Sequence, residues 1–230
     1  MLFVSSLFLS GIQAICFDID GTLSDTDDLM VQRLARWLRP LVLLTPHYDA
    51  QTLARRVVMA AETPFNQLYA ATDNLGLDAP IFRLVRLLRR LLPRRQPKRY
   101  LLIPGVAEML AALAPRYRLG IVSAGSHQAV LDFLAHFDLQ HYFGKCIASA
   151  ETCKYTKPHP DPVRWAMNCL GVAPRACLMV GDTTVDILAG RAAGARTVGV
   201  LCGFGERDEL QQAGADLILP STADLLYHLL

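Results

Sequence analysis

The sequence predicts an α/β protein: a parallel sheet with right-handed crossovers, interrupted after its first strand by an all-helical insert. Three observations predict it. Short apolar runs at 12–17, 118–122, 176–180 and 196–201, bounded by turn residues or acids, fit strands buried on both faces of a parallel sheet. Helical patterns alternate with the later runs, as crossover connections require. Residues 24–98 differ in texture, with helix-period segments and no convincing strand run.

The elements follow in order. Residues 1–17 carry no charge, and the first Arg is Arg33, so the basic start of a signal peptide is missing. Ser5, Ser6, Ser10, Gly11 and Gln13 interrupt the stretch, which is short for a spanning helix. Residues 12–17 read as a buried strand, while 1–10 fit an extra strand, a packed arm or an upstream start codon. Within the insert, 81–92 places Arg83, Arg86 and Arg90 on one helical face and Leu84, Leu88 and Leu91 on the other, and Pro93 and Pro97 close the segment. The basic run from Arg83 to Arg99 reads as a solvated face and linker, with an anionic partner as the functional alternative. A helix over 104–114 starts at Pro104–Gly105 and stops at Pro115, and a weaker strand run lies at 145–149. The helix over 161–170 has Asp161 as its expected N-cap, Pro162 at the first helical position and Gly171 just past its end; that over 184–193 has Thr183 or Thr184 to cap it and Gly194 to stop it. The expected division is a core of 1–23 with 99–230 and a helical insert of 24–98.

Composition narrows the function. With 52% hydrophobic residues in 230, general disorder is excluded. The balance of 23 Lys and Arg against 21 Asp and Glu calls for no nucleic-acid partner, and no segment calls for a membrane. Cys16, Cys146, Cys153, Cys169, Cys177 and Cys202 form no C-x-x-C pair, so reduced thiols in a cytoplasmic protein are expected. The six histidines show neither H-x-H nor H-E-x-x-H spacing, which argues against zinc; His127 reads as a helix-surface residue. Gly203-Phe-Gly205 begins like a dinucleotide fingerprint but lacks the third glycine, and reads as a loop beside the active face.

Four features carry chemistry. Asp18 and Asp20 stand at the end of the first strand, on the same side of an extended chain, before Gly21, which permits a sharp turn. Two such carboxylates repel unless a cation compensates, which suggests a divalent ion held by oxygens. One carboxylate can then attack an electrophile while its neighbour moves a proton. Asp182 and Asp186 stand at the end of a second buried strand, one helical turn apart. Oxygen donors favour Mg²⁺ over zinc, although acids at these places also serve as helix caps. Ser123 and Ala124 end a third strand, where a hydroxyl and adjacent amides can cradle an anion or cap a helix. Lys157, between Thr156 and Pro158, is one of four lysines in the chain; it can bind phosphate as a point charge or stand in solvent before a helix.

These features arrive in order, and together they resemble the haloacid dehalogenase superfamily of phosphohydrolases: Asp18-Ile-Asp20-Gly-Thr-Leu, Ser123, Lys157-Pro and Gly181-Asp182-x-x-x-Asp186. The resemblance runs from about residue 12 to the end, and the stretch from Lys157 to Gly205 looks like the phosphoglycolate phosphatase-like branch. It implies a Rossmann-like core with a helical cap at 24–98. It implies Asp18 as nucleophile forming an aspartyl-phosphate, Asp20 as acid and base, and Ser123, Ala124 and Lys157 on the phosphoryl oxygens. It implies Mg²⁺ on Asp18, the Asp20 carbonyl and Asp182, with Asp186 assisting through water or by positioning Lys157. The substrate implied is a small phosphorylated metabolite, handled by a monomer or weak homodimer. Dehalogenases of the family lack the second Asp of the first motif, and its phosphonate hydrolases use a cap lysine, which 24–97 lacks. A sugar-phosphate mutase shares every core motif and stays open, as does a non-catalytic module that binds a phosphorylated ligand. In the cap, Arg55, Arg56 and Glu62 are candidate substrate contacts that read equally as surface residues.

Overall fold

The computed structural model describes residues 10–25 and 100–230. The chain divides into two units, Met1–Asp28 with Tyr100–Leu230, and Leu29–Arg99. Apart from Ser24 and Asp25, the helical reading of 24–98, including the segment 81–92 and Arg55, Arg56 and Glu62, lies outside the described residues, as do residues 1–9.

In the first unit, β1 (Ala14–Phe17) is followed after the insert by α1 (Val106–Leu113), β2 (Arg118–Val122), α2 (His127–His136) and the single turn α3 (Gln140–Phe143). Then come β3 (Ile147–Ala148), α4 (Asp161–Leu170), β4 (Cys177–Gly181), α5 (Thr184–Ala193), β5 (Arg196–Val200), α6 (Arg207–Ala213), β6 (Leu217–Leu219) and α7 (Leu226–Leu229). All strand pairs are parallel, in the order β3-β2-β1-β4-β5-β6. The chain builds outward from β1 to β3, then returns to β4 on the other side of β1. That reversal opens a crevice beyond the carboxyl ends of β1 and β4, where open α/β sheets bind ligands.

Strand alternation explains the layering. Ile15, Phe17, Leu119, Ile121, Leu178 and Val180 point to one face and pack with α1 and α2. Ala14, Cys16, Cys177 and Met179 point to the other and pack with α4 and α5. The second face carries smaller side chains, so its helices approach closely: a Cβ on Gly190 of α5 would stand 2.7 Å from Thr197 and 2.9 Å from Met179. Either face buries residues at zero exposure, which is why each strand reads as a continuous apolar run rather than an alternating one.

The expected strands are present within a residue or two at each end. The helix at 161–170 starts differently: Asp161 is its first residue, Pro160 holds the cap position and no side chain caps it. Thr183 caps α5 as expected, with Asp186 completing a capping box. Strand β6 and helix α6 were not read from the sequence, since Leu217–Leu219 is only three residues long and Arg207–Ala213 buries only Leu210.

The cysteine expectation is corrected. Cys146 and Cys169 form a disulfide, their Cα atoms 5.6 Å apart, within the span a disulfide requires. Packing of α4 on β3 brings together two residues 23 apart in sequence, which no local spacing rule detects. Cys16, Cys153, Cys177 and Cys202 are free thiols. Among the described residues, no helix is long and apolar enough to cross a membrane.

Candidate active site

Asp18 is the first residue beyond β1, and its N–H donates to the Val180 carbonyl at 3.0 Å, which prolongs the β1–β4 ladder by one bond. The chain then turns over Ile19, whose carbonyl accepts the N–H groups of Thr22, Leu23 and Ser24 at 3.2, 2.9 and 2.8 Å. Gly21 sits at φ 74°, a conformation that a side chain would strain. Beyond the turn, Asp25 N–H donates to the Leu101 carbonyl and Ile103 N–H to the Leu23 carbonyl, so the two chain crossings into the insert lie side by side next to this turn.

Lys157 comes from the loop before α4, ahead of a cis Lys157–Pro158 bond. Asp182 follows β4, and Asp186 is the third residue of α5. These elements deliver one tight group. Lys157 Nζ lies 2.8 Å from Asp18 Oδ1 and 2.6 Å from Asp186 Oδ1. Asp186 Oδ2 accepts from the Thr183 hydroxyl at 2.7 Å and its N–H at 3.1 Å. Asp182 Oδ1 accepts from the Thr22 hydroxyl at 3.3 Å, and Oδ2 accepts from the Phe204 N–H at 2.8 Å. Asp18, Asp182 and Asp186 each present an oxygen within 4.8 Å of the others, all buried.

Three carboxylates and one ammonium leave an excess of buried negative charge, and the proton affinities register it. Burial pushes Asp18 up from 3.8 to about 7; Asp186 and Asp20 add to the rise, and Lys157 opposes it. Burial, then Asp186 and Asp18, hold Asp182 well above the usual carboxylate range, against the opposing Phe204 amide and Lys157. Burial alone would lower Lys157, but Asp18 and Asp186 more than compensate and hold its proton firmly. A buried, all-oxygen donor set with unbalanced negative charge suits a hard divalent cation.

The structure therefore gathers Asp18, Lys157, Asp182 and Asp186 at the carboxyl ends of β1 and β4. Asp20 differs from the sequence reading. Its side chain is exposed and its carboxylate is not in the cluster, because the chain leaves the extended conformation directly after Asp18. Ser123 is buried at the end of β2, its hydroxyl accepting the Gly125 N–H at 3.0 Å. Ala124 is exposed beside it. Helix α2 begins only at His127, capped by Ser126, so Ser123 belongs to the loop before the helix rather than to its first turn. His127 is exposed on the helix, as read from the sequence.

Sequence reasoning missed three groups. Thr183 was read only as a cap, yet its hydroxyl also anchors Asp186; the Thr-x-x-Asp spacing is the available signal. Thr22 bonds Asp182 across 160 residues of sequence, and nothing local announces that. Phe204 acts through its backbone, and the flanking glycines are the trace: a Cβ on Gly203 would collide with the Asp182 carboxylate, and one on Gly205 with the Asp182 carbonyl.

The chain matches the family model of the haloacid dehalogenase-like hydrolases over residues 15–200. It is 31% identical over 216 residues to the pyrophosphatase PpaX of Anoxybacillus flavithermus, covering 94% of this chain and 95% of that one. It is 30% identical over 231 residues to the phosphoglycolate phosphatase of Escherichia coli, covering 94% and 91%. Among solved structures, a hydrolase from Pseudomonas syringae superposes with a TM-score of 0.65 at 26% identity, covering 94% and 97%.

Proposed function

This chain belongs to the haloacid dehalogenase-like hydrolases, and we propose that it is a Mg²⁺-dependent phosphatase of small phosphomonoesters that works through an aspartyl-phosphate on Asp18. The observation that carries the proposal is the convergence of three buried carboxylates, Asp18, Asp182 and Asp186, at the sheet's crevice, with the buried Lys157 paired to Asp18 and Asp186. Similarity to enzymes named as a pyrophosphatase and a phosphoglycolate phosphatase supports the same reaction class.

Asp18 and Asp182, with the Asp20 carbonyl, would hold the Mg²⁺. When bound, the ion offsets the buried negative charge and draws off charge from the phosphoryl oxygens. Lys157 fixes Asp18 through Oδ1 and presents positive charge to the incoming phosphoryl group. Asp186, spanned by Lys157 on one oxygen and Thr183 on the other, keeps the ammonium in place. A carboxylate oxygen of Asp18 attacks phosphorus as the ester P–O bond breaks, and Asp20 gives its proton to the departing alkoxide. Exposed at the tip of the turn, Asp20 can reach that oxygen. Its carboxylate then takes a proton from water, which attacks phosphorus, breaks the acyl–phosphate bond and restores Asp18. Ser123 and the Ala124 amide supply donors to the remaining oxygens. Positioning and charge neutralisation do most of the work, as phosphoryl transfer needs. Selection among phosphomonoesters falls to residues 24–98 as a cap, and the reading includes a cytoplasmic location.

The test is phosphate release from p-nitrophenyl phosphate, 2-phosphoglycolate, pyrophosphate and a panel of sugar phosphates, with Mg²⁺ and with EDTA. Release that EDTA abolishes is expected. Release undiminished in EDTA would contradict the metal role, and conversion of a sugar phosphate to its isomer without release would indicate a mutase.

A further inference from the structure

We infer that Thr22 is a positioning residue for Asp182: its hydroxyl and the Phe204 amide hold that carboxylate by one oxygen each, in the orientation that receives the divalent cation. The inference rests on the metal reading proposed above and names the group that sets its affinity.

Thr22 has zero exposure, so its hydroxyl must find a partner inside the protein. That partner is Asp182 Oδ1, at 3.3 Å. The Phe204 N–H takes Oδ2 at 2.8 Å. An ionised carboxylate has about four acceptor positions, so the two donors fix its rotation while leaving acceptor capacity on both oxygens. Neither donor is charged, so neither offsets the charge a cation must meet. This contrasts with Asp186, whose oxygens are taken by the Lys157 ammonium and by Thr183.

Thr22 is itself held. The Thr222 hydroxyl, from the short 3₁₀ turn Thr222–Leu225 after β6, donates to the Thr22 carbonyl at 2.6 Å. The Cys202 thiol contacts the Gly21 carbonyl and the Thr222 hydroxyl, each at 3.5 Å. The loop from Cys202 to Gly205 presses so closely on Asp182 that a side chain at 203 or 205 would collide with it. The C-terminal part of the chain thus sets the clamp from both sides. Groups that orient metal ligands change affinity by about 10- to 100-fold when removed. Thr22 makes the longer of the two contacts, which places it at the lower end of that range.

The test is calorimetric titration of the whole protein with MgCl₂. Thr22→Val keeps the shape and removes the hydroxyl; it should weaken Mg²⁺ binding about tenfold and raise the Mg²⁺ concentration for half-maximal activity by a similar factor. Thr22→Ser keeps the hydroxyl and should bind within about twofold of wild type. Melting in EDTA checks that each variant folds, and Thr22→Ala removes the same hydroxyl if the valine is not tolerated. Wild-type affinity in the hydroxyl-free variant, or equal losses for Thr22→Ser and Thr22→Val, would overturn the positioning role while the metal reading stands. A wild-type protein that takes up no Mg²⁺ would overturn both.

Discussion

Asp18 and Asp182 stand at the ends of adjacent parallel strands, both buried, yet the protein treats them differently. Asp18 is met by an ammonium at 2.8 Å, and burial pushes it up to about 7 against that ammonium's opposition. Asp182 is met by two neutral donors and is held well above the usual carboxylate range. The protein supplies a cation for one carboxylate and only orientation for the other. The side of the site that carries Asp18 has its own counter-charge in Lys157; the side that carries Asp182 has donors but no cation in contact, which suits a divalent ion.

Breaking the Asp18 side should have the largest effect. Asp18→Asn removes the carboxylate proposed as the nucleophile and should lower turnover at least about a thousandfold, with the fold intact by circular dichroism. Lys157→Met leaves Asp18 and Asp186 facing each other without an ammonium; turnover should fall about a hundredfold or more, and melting in EDTA should also drop.

The Asp182 side should respond in the opposite direction on stability. Asp182→Asn relieves buried repulsion, and the amide can still accept from Phe204 while donating to the Thr22 hydroxyl. The metal-free protein should melt higher by a few degrees, whereas Mg²⁺ should no longer raise its melting temperature. A drop in metal-free stability would show that charge repulsion is not what Asp182 contributes.

The pH dependence follows from the raised carboxyls. Asp18 binds its proton more tightly folded, at about 7, than at its ordinary value of 3.8. The folded state is therefore favoured at low pH, and that contribution is lost as pH rises from about 4 through 7, with Asp182 acting in the same sense. A divalent cation must displace these protons, so it binds better at high pH. Scanning calorimetry should show a larger Mg²⁺-induced increase in melting temperature at pH 7.5 than at pH 5.5. The smallest functional effect belongs to the Cys146–Cys169 bond. Cys169 lies beside Leu170, whose carbonyl is bonded by Arg118 at the start of β2, at the edge of the sheet opposite Ser123. Thiol titration of the denatured, unreduced protein should count four of the six cysteines, and reduction should change turnover by less than about twofold, because the bond is remote from the carboxylates.

Much of this architecture was legible in the sequence, for a definite reason. Strands buried on both faces leave continuous apolar runs, and helices packed on them leave caps and terminal glycines such as Gly171 and Gly194. The acids at the strand ends were legible because a pair like Asp18 and Asp20, or Asp182 and Asp186, is conspicuous after an apolar run. What stayed hidden depends on separation along the chain or on backbone atoms. Thr22 meets Asp182 at a distance of 160 residues, and Thr222 meets Thr22 at 200. The Phe204 contribution is a backbone N–H that any residue except proline would supply, and the Cys146–Cys169 bond depends on how α4 lies on β3. The separation of Asp20 from the cluster was missed because alternation was extended to Asp20, three residues past the end of β1 at Phe17.

The most direct measurement is chemical trapping of the covalent intermediate. The protein is mixed with Mg²⁺ and its best substrate, quenched, reduced with borohydride, digested and sequenced by mass spectrometry. An aspartyl-phosphate on Asp18 is reduced to homoserine at that position, in samples containing both substrate and Mg²⁺ and in no others. Homoserine at Asp20 or Asp182, or turnover with no reduced aspartate anywhere, would contradict Asp18 as the nucleophile of this site.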